Sequence, residues 1–149
     1  MDQEQIIQYV TDTFDGLEVQ RPTDGPGAGD TFFFYDPEHN IDPQRRLPFA
    51  TIVTKDYGEY DNKSRLDRPG VFRLNIGVKR KTFRSLFPSD SDTDAIDYAA
   101  FNTLIPHPLY ASQSYVSVLN PTEETFDKTI KPLLAEAYSI VSTRHAQRT

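Results

Sequence analysis

The fold of this chain is decided by residues 71–78, which read Val-Phe-Arg-Leu-Asn-Ile-Gly-Val. Every second residue is apolar and large, and the positions between them include Arg73 and Asn75. Successive side chains of a strand point to opposite faces of a sheet. The alternation therefore predicts a β-strand with one apolar face and one face that presents Arg73 and Asn75 side by side.

Three further strands are predicted around this one, at residues 31–35, 49–55 and 114–119, because each stretch is short and rich in aromatic or β-branched residues. A polar stretch, residues 56–70, separates the second strand from residues 71–78. Neighbouring strands are thus joined by loops rather than helices, which indicates antiparallel pairing.

Helices are predicted on both sides of the strands. Apolar residues recur at three- and four-residue steps over residues 4–17, and shorter helices are expected at 79–87 and 92–104. A last helix starts after Asn120-Pro121, and Pro132 is expected to break or restart it before Arg144. The order predicts an α+β fold, an antiparallel sheet covered by N- and C-terminal helices.

Composition restricts the class of protein. A chain of 149 residues with 37% hydrophobic residues fits a single α+β domain over residues 1–149. It has no cysteine, which fits a reducing compartment and excludes thiol chemistry. No leader-like segment and no long apolar run is present, so we expect a cytoplasmic protein that does not enter a membrane.

Charge is distributed unevenly. Half of the 16 basic residues lie between positions 63 and 84, where Asp67 is the only acid, in a chain of net charge −6. They are Lys63, Arg65, Arg68, Arg73, Lys79, Arg80, Lys81 and Arg84. Such a block predicts a positive surface that binds an anionic ligand or nucleic acid.

Within this block, Lys79, Arg80 and Lys81 open a predicted helix, where the helix dipole disfavours cations. Cations beside free backbone N–H groups make sense if an anion binds there, and Arg73 and Asn75 could join such a site. The alternative is a solvated face neutralised by nearby aspartates.

A second candidate site surrounds His107. Pro106 and Pro108 fix the backbone on both sides of it, and Tyr110 and Gln113 follow closely. A stiffly held histidine could act as an acid or base, a ligand or an anion contact. The alternative is a rigid connector between core elements, since no second histidine or carboxylate cluster is paired with it by spacing.

No catalytic residue, metal site or cofactor is predicted. Asp90, Asp92 and Asp94 are spaced as at the start of a calcium loop, but Ala95 and Phe101 replace its glycine and glutamate. We interpret these aspartates as acids at the start of a helix.

Three phrases carry a family resemblance: residues 30–37 (DTFFFYDP), residues 67–78 (DRPGVFRLNIGV), and residues 106–121, from PHPLY to LNP. Together they resemble an uncharacterised bacterial family of small domains with no assigned function, over nearly the whole chain. The element order is also similar to that of the MmcQ/YjbR-like proteins. That second resemblance implies a double-wing α+β architecture and raises DNA binding, whereas the negative net charge and the acidic loops of this chain depart from that pattern.

Three functions follow, in order of preference. The first is a non-catalytic binding module whose ligand meets Arg73, Asn75, Lys79, Arg80 and Lys81. The second is a protein-interaction domain, monomeric or dimerising through a sheet edge. The third is a small enzyme or ligand pocket around His107, Tyr110 and Gln113, which requires these side chains, Arg73 and Asn75 to line one cavity.

Overall fold

The structure is a computed structural model that describes residues 1–42, 46–88 and 95–147. It has the predicted α+β fold, with a six-stranded antiparallel sheet and helices at both ends of the chain. The elements are α1 (Gln3–Thr13), β1 (Leu17–Gln20), β2 (Thr31–Tyr35), β3 (Ala50–Val53), β4 (Arg73–Gly77), α2 (Arg80–Leu86), β5 (Ile105–Pro106), β6 (Tyr115–Leu119), α3 (Glu123–Thr125), a π-helical turn (Phe126–Ile130) and α4 (Lys131–Gln147).

The strand that the sequence identifies, β4, lies inside the sheet, whose order is β1-β2-β3-β4-β6-β5. Leu74 and Ile76 face a core formed with α1 and α4, as predicted. Arg73 and Asn75 lie on the opposite face, where Asn75 stands between Thr51 of β3 and Ser117 of β6. Both are buried, with 1% and 2% of their surface exposed, so Arg73 is not part of a charged surface.

The main core fills the space between the sheet and the terminal helices. Its largest fully buried members include Phe33 from β2 and Phe126 from the π-helical turn. A second, smaller core lies around Leu66, Val71 and Leu119. The polar face of β4 therefore lies on the side of the sheet that is away from the helices, and loops cover it.

The first helix is shorter than predicted. Asp2 and Gln5 form a capping box at its start, and α1 ends at Thr13. Gly16 then adopts a φ of 76°, a left-handed conformation that turns the chain. Leu17, the last apolar position of the predicted helix, opens β1 and pairs with Tyr35 instead.

The predicted helix at 92–104 is wrong over the part that the structure describes. Residues 89–94, which include the calcium-like aspartates, lie outside the described residues. Residues 95–104 form turns, because Ile96 and Tyr98 pack on the smaller core rather than along one helical stripe. Arg68 Nη2 also donates to Ala99 O over 3.1 Å, which ties this segment to the loop before β4.

The predicted break or restart at Pro132 is observed as a restart, because the π-helical turn ends at Ile130 and α4 begins at Lys131, directly before the proline. Lys131 N donates to Phe126 O, five residues back, which closes the π-helical turn just before the proline. The π-helical hydrogen bonds therefore end at Lys131, and the next residue, Pro132, has no backbone N–H to donate. Thr122 caps α3, since its side chain accepts from Thr125 N.

None of the helices in the described ranges is both long and apolar enough to cross a membrane.

Candidate functional site

A cavity of about 560 Å³ opens on the polar face of β4. Strands β3, β4 and β6 supply its floor, and the loops around residues 57–61 and 107–113 supply its sides. Much of the lining is aromatic, contributed by Phe32, Tyr57, Tyr60, Tyr110 and Tyr115. An apolar cavity of this size with a few convergent polar groups is typical of a small-molecule site.

Five residues singled out from the sequence meet in this cavity: Arg73, Asn75, His107, Tyr110 and Gln113. The first two come from β4 and the others from the segment between β5 and β6. The geometric requirement for a pocket around His107 is therefore met. The structure also adds neighbours that the sequence did not identify, chiefly Asp61, Tyr57 and Tyr60.

Arg73 is neutralised inside the protein. Its Nη1 and Nη2 donate to the two carboxylate oxygens of Asp61 over 3.1 and 2.7 Å, and Nη1 also donates to Ser64 Oγ over 3.0 Å. Its Nε donates to Asn75 Oδ1 over 2.9 Å. These bonds use all but one of the five guanidinium N–H groups. The paired charges cancel, and one Nη2 N–H has no hydrogen-bond partner among the described residues.

Asn75 links the strands beneath the cavity. Its Oδ1 accepts from Ser117 Oγ over 2.7 Å as well as from Arg73, and its Nδ2 donates to Thr51 Oγ1 over 2.9 Å. Three neighbouring strands are thus joined by one side chain. A buried polar network that spans three strands in this way holds its members in fixed positions.

His107 is held as a neutral imidazole. Its Nδ1 accepts from Leu109 N over 3.0 Å and from Tyr110 N over 3.1 Å, so the ring proton belongs on Nε2. Burial, reinforced by the positive charge of Arg73 and opposed by Asp61, lowers the pKa of His107 to about 4.

The Nε2–H of His107 is the donor that remains on the ring. It makes no hydrogen bond within the described residues. The ring lines the cavity although only 5% of the surface of His107 is exposed, so a ligand in the cavity can meet this side chain.

Two tyrosines stand at the open edge of the cavity. The hydroxyl oxygens of Tyr60 and Tyr110 lie 3.0 Å apart, which links the 57–61 loop to the 107–113 segment. Both side chains are substantially exposed, at 66% and 38%. The hydrogen bond with Tyr60, followed by burial, raises the pKa of Tyr110.

Tyr57 is fixed deeper in the wall, where its hydroxyl donates to Asp30. Burial and that hydrogen bond raise the pKa of Tyr57 far above its usual value, so the phenol stays protonated. Asp30 also accepts from Thr54 N over 2.9 Å, which anchors it to the end of β3. Tyr57 is thus held in the wall by part-buried hydrogen bonds.

Comparison with known proteins places the whole chain in one family. The model of a family of unknown function, DUF6194, matches residues 1–149. The chain belongs to this family. No curated protein and no solved structure matches it.

In this DUF6194 member, the predicted cationic helix start does not join Arg73 and Asn75. Lys79 and Arg80 line a second cavity, and Lys81 lines neither of these two cavities. Lys79 N donates to Glu136 Oε2 over 2.9 Å, and Thr82 Oγ1 donates to Glu136 Oε1 over 2.8 Å. A carboxylate of the protein therefore occupies the start of α2.

Other basic residues of the 63–84 block have separate surroundings. Arg68 donates to the carbonyls of Ser64, Arg65 and Ala99, and its guanidinium lies 4.9 Å from the ring centre of Phe101. Lys63 lies 5.2 Å from the ring centre of Tyr98. Among the described residues, no group of three or more histidine and acidic side chains is arranged to hold a metal ion.

Proposed function

We propose that this chain is a non-catalytic binding domain whose first cavity takes a small, flat and uncharged molecule. The observation that carries the proposal is the convergence of a neutral His107 and a self-neutralised Arg73–Asp61 pair in one aromatic cavity. The aromatic walls favour a planar apolar body. The Nε2–H of His107 and the spare N–H of Arg73 favour hydrogen-bond acceptors on the ligand.

An anion is a poorer occupant of this cavity. It would have to compete with Asp61 for Arg73, and separating a buried, bidentate ion pair leaves an uncompensated charge. An uncharged carbonyl or ring nitrogen can accept from His107 without disturbing that pair. The balance of charges therefore selects for a neutral polar group.

The same contacts argue against proton transfer. A general base needs a free lone pair within reach of the substrate. The one Nδ1 lone pair of His107 already accepts from two backbone N–H groups, and Asp61 as a base would give up the charge that pairs with buried Arg73. Both groups are committed to structure, which favours binding over acid–base catalysis.

The experiment is a fragment screen followed by amide chemical shifts. We expect uncharged heteroaromatic fragments to shift the signals of Leu109 and Tyr110, whose N–H groups bond to His107. In His107→Asn, Oδ1 can replace Nδ1 as acceptor while the Nε2–H donor is lost. Affinity should then fall roughly fivefold, the value of one hydrogen bond of about 1 kcal/mol.

His145→Asn is the matched control, because His145 lies away from this cavity and contacts the Tyr35 ring. It should bind the same fragments with unchanged affinity. A screen in which no fragment shifts Leu109 or Tyr110, or in which the two variants bind alike, would contradict the proposal.

Several finer expectations stay predictions: the MmcQ/YjbR-like architecture, a bacterial source, a single domain and a cytoplasmic location. Nucleic-acid binding through residues 63–84 and self-association also stay predictions. Nucleic-acid binding requires an affinity that falls steeply as salt is added, since counterion release drives such binding. Self-association requires a molecular mass that rises with protein concentration.

A further inference from the structure

The second cavity, also of about 560 Å³, adjoins the first. Lys79 and Arg80 line it from the start of α2, and Arg144 lines it from α4. The two cavities share four lining residues, namely Leu47, Pro48, Gln113 and Tyr115. Leu47 and Gln113 are exposed, so both cavities open along one rim.

The second cavity has an excess of positive charge. The side chains of Lys79, Arg80 and Arg144 are exposed and form no ion pair within the described residues. The acid bonded to the start of α2 is Glu136, which is engaged with Lys79 N and Thr82 Oγ1. Three cations therefore face one carboxylate that is already bonded.

A buried hydroxyl adds an uncharged donor to this cavity. Ser114 has only 7% of its surface exposed and lines the cavity in a left-handed conformation with a φ of 66°. Its Oγ makes no hydrogen bond within the described residues, so the hydroxyl is a candidate donor to an anion in this cavity.

The wall between the cavities is thin. Tyr115 Oη donates to Pro48 O over 2.7 Å, and the ring lies so close to Gly77 that a Cβ there would approach it to 3.1 Å. One ring and one short loop separate the aromatic cavity from the cationic one. Gln113, which is exposed, lines both cavities beside this wall.

We propose that the two cavities hold one ligand, whose planar uncharged part lies in the first and whose phosphate or carboxylate lies among Lys79, Arg80, Arg144 and Ser114 in the second. The inference rests on the proposed function of the first cavity. The sequence predicts an anion at the backbone N–H groups that start α2, but the N–H group of Lys79 already donates to Glu136 there. The proposed anion therefore binds to side chains instead.

The test uses heteroaromatic fragments in matched sets: uncharged, with a carboxylate, and with a phosphate. Binding is measured at low and physiological salt in the wild type and in Arg80→Gln/Arg144→Gln. The charged members should bind at least tenfold more tightly than the uncharged one at low salt, since hydrogen bonds to charged groups are the stronger kind. Salt and the double variant should each reduce that advantage.

Arg84→Gln/Lys128→Gln removes the same charge at two exposed positions outside both cavities, so it should keep the advantage. The inference would be overturned if the wild type bound charged and uncharged fragments equally tightly, or if the two double variants showed the same preference for charged fragments. In either case, binding of the uncharged fragments would still support the first cavity as a site. Inorganic pyrophosphate that binds without any fragment entering the first cavity would overturn both proposals. The carboxylate and phosphate sets distinguish the two sources of charge.

Discussion

Asp61→Ala is expected to lower the free energy of unfolding by about 3–5 kcal/mol, because it leaves a buried arginine without its counter-ion. Arg73 is 1% exposed and Asp61 is 7% exposed, so little water can replace the lost carboxylate. Both of its oxygens bond to Arg73, at 3.1 and 2.7 Å. Urea unfolding at neutral pH measures the change.

Two control variants separate the buried charge from a simple loss of contacts. Asp127→Ala removes an exposed carboxylate that lies 2.9 Å from Lys131, and it should cost under about 1 kcal/mol. Arg73→Met/Asp61→Leu removes both charges and should recover much of the stability lost in Asp61→Ala. A cost of Asp61→Ala equal to that of Asp127→Ala would contradict the dominant role of the buried pair.

The partner of Arg73 could not be identified from the sequence, although its strand could. Alternation over residues 71–78 predicts both the strand and its two faces, because the period of a strand is a local property. Asp61 lies in the polar stretch 56–70, where apolar residues do not recur at a regular spacing. Its contact with Arg73 depends on how the 57–61 loop folds back, where Tyr57 N donates to Asp61 O over 2.9 Å.

The basic block shows how closeness in sequence differs from closeness in space. Strand β4 buries Arg73 on one face of the sheet, and the chain leaves the sheet before Lys79 and Arg80. Arg144, more than sixty positions later, is their neighbour in the second cavity. The charges counted along the chain identify a cationic region. The sheet topology then places the residues of that region in different parts of the structure.

The His107 segment was predicted in part. Flanking prolines indicate a stiff backbone, and the structure holds His107 N by a 3.0 Å bond to Tyr115 O. The short strand β5 and the two amide donors to Nδ1 were missed, because a two-residue strand and a side-chain turn leave no periodic pattern. Those donors fix the ring proton on Nε2 and so decide which atom of the ring can donate to a ligand.

The neutral state of His107 should make the protein less stable as the pH falls. The pKa is lowered from 6.5 in the unfolded chain to about 4 in the folded one. Between these values the unfolded state binds a proton that the folded state refuses, so acid favours unfolding. At about 1.4 kcal/mol per pH unit, the loss between pH 6.5 and pH 4 amounts to about 3 kcal/mol.

Urea unfolding of the wild type and of His107→Asn across pH 7, 5.5 and 4.5 isolates this contribution. Carboxylates that titrate near pH 4 affect both proteins, so the difference between their pH profiles belongs to His107. Equal slopes in the wild type and His107→Asn would mean that the folded protein accepts the proton on His107. In that case Nδ1 would not be committed to Leu109 and Tyr110, and the cavity would hold a cation where a neutral donor is proposed.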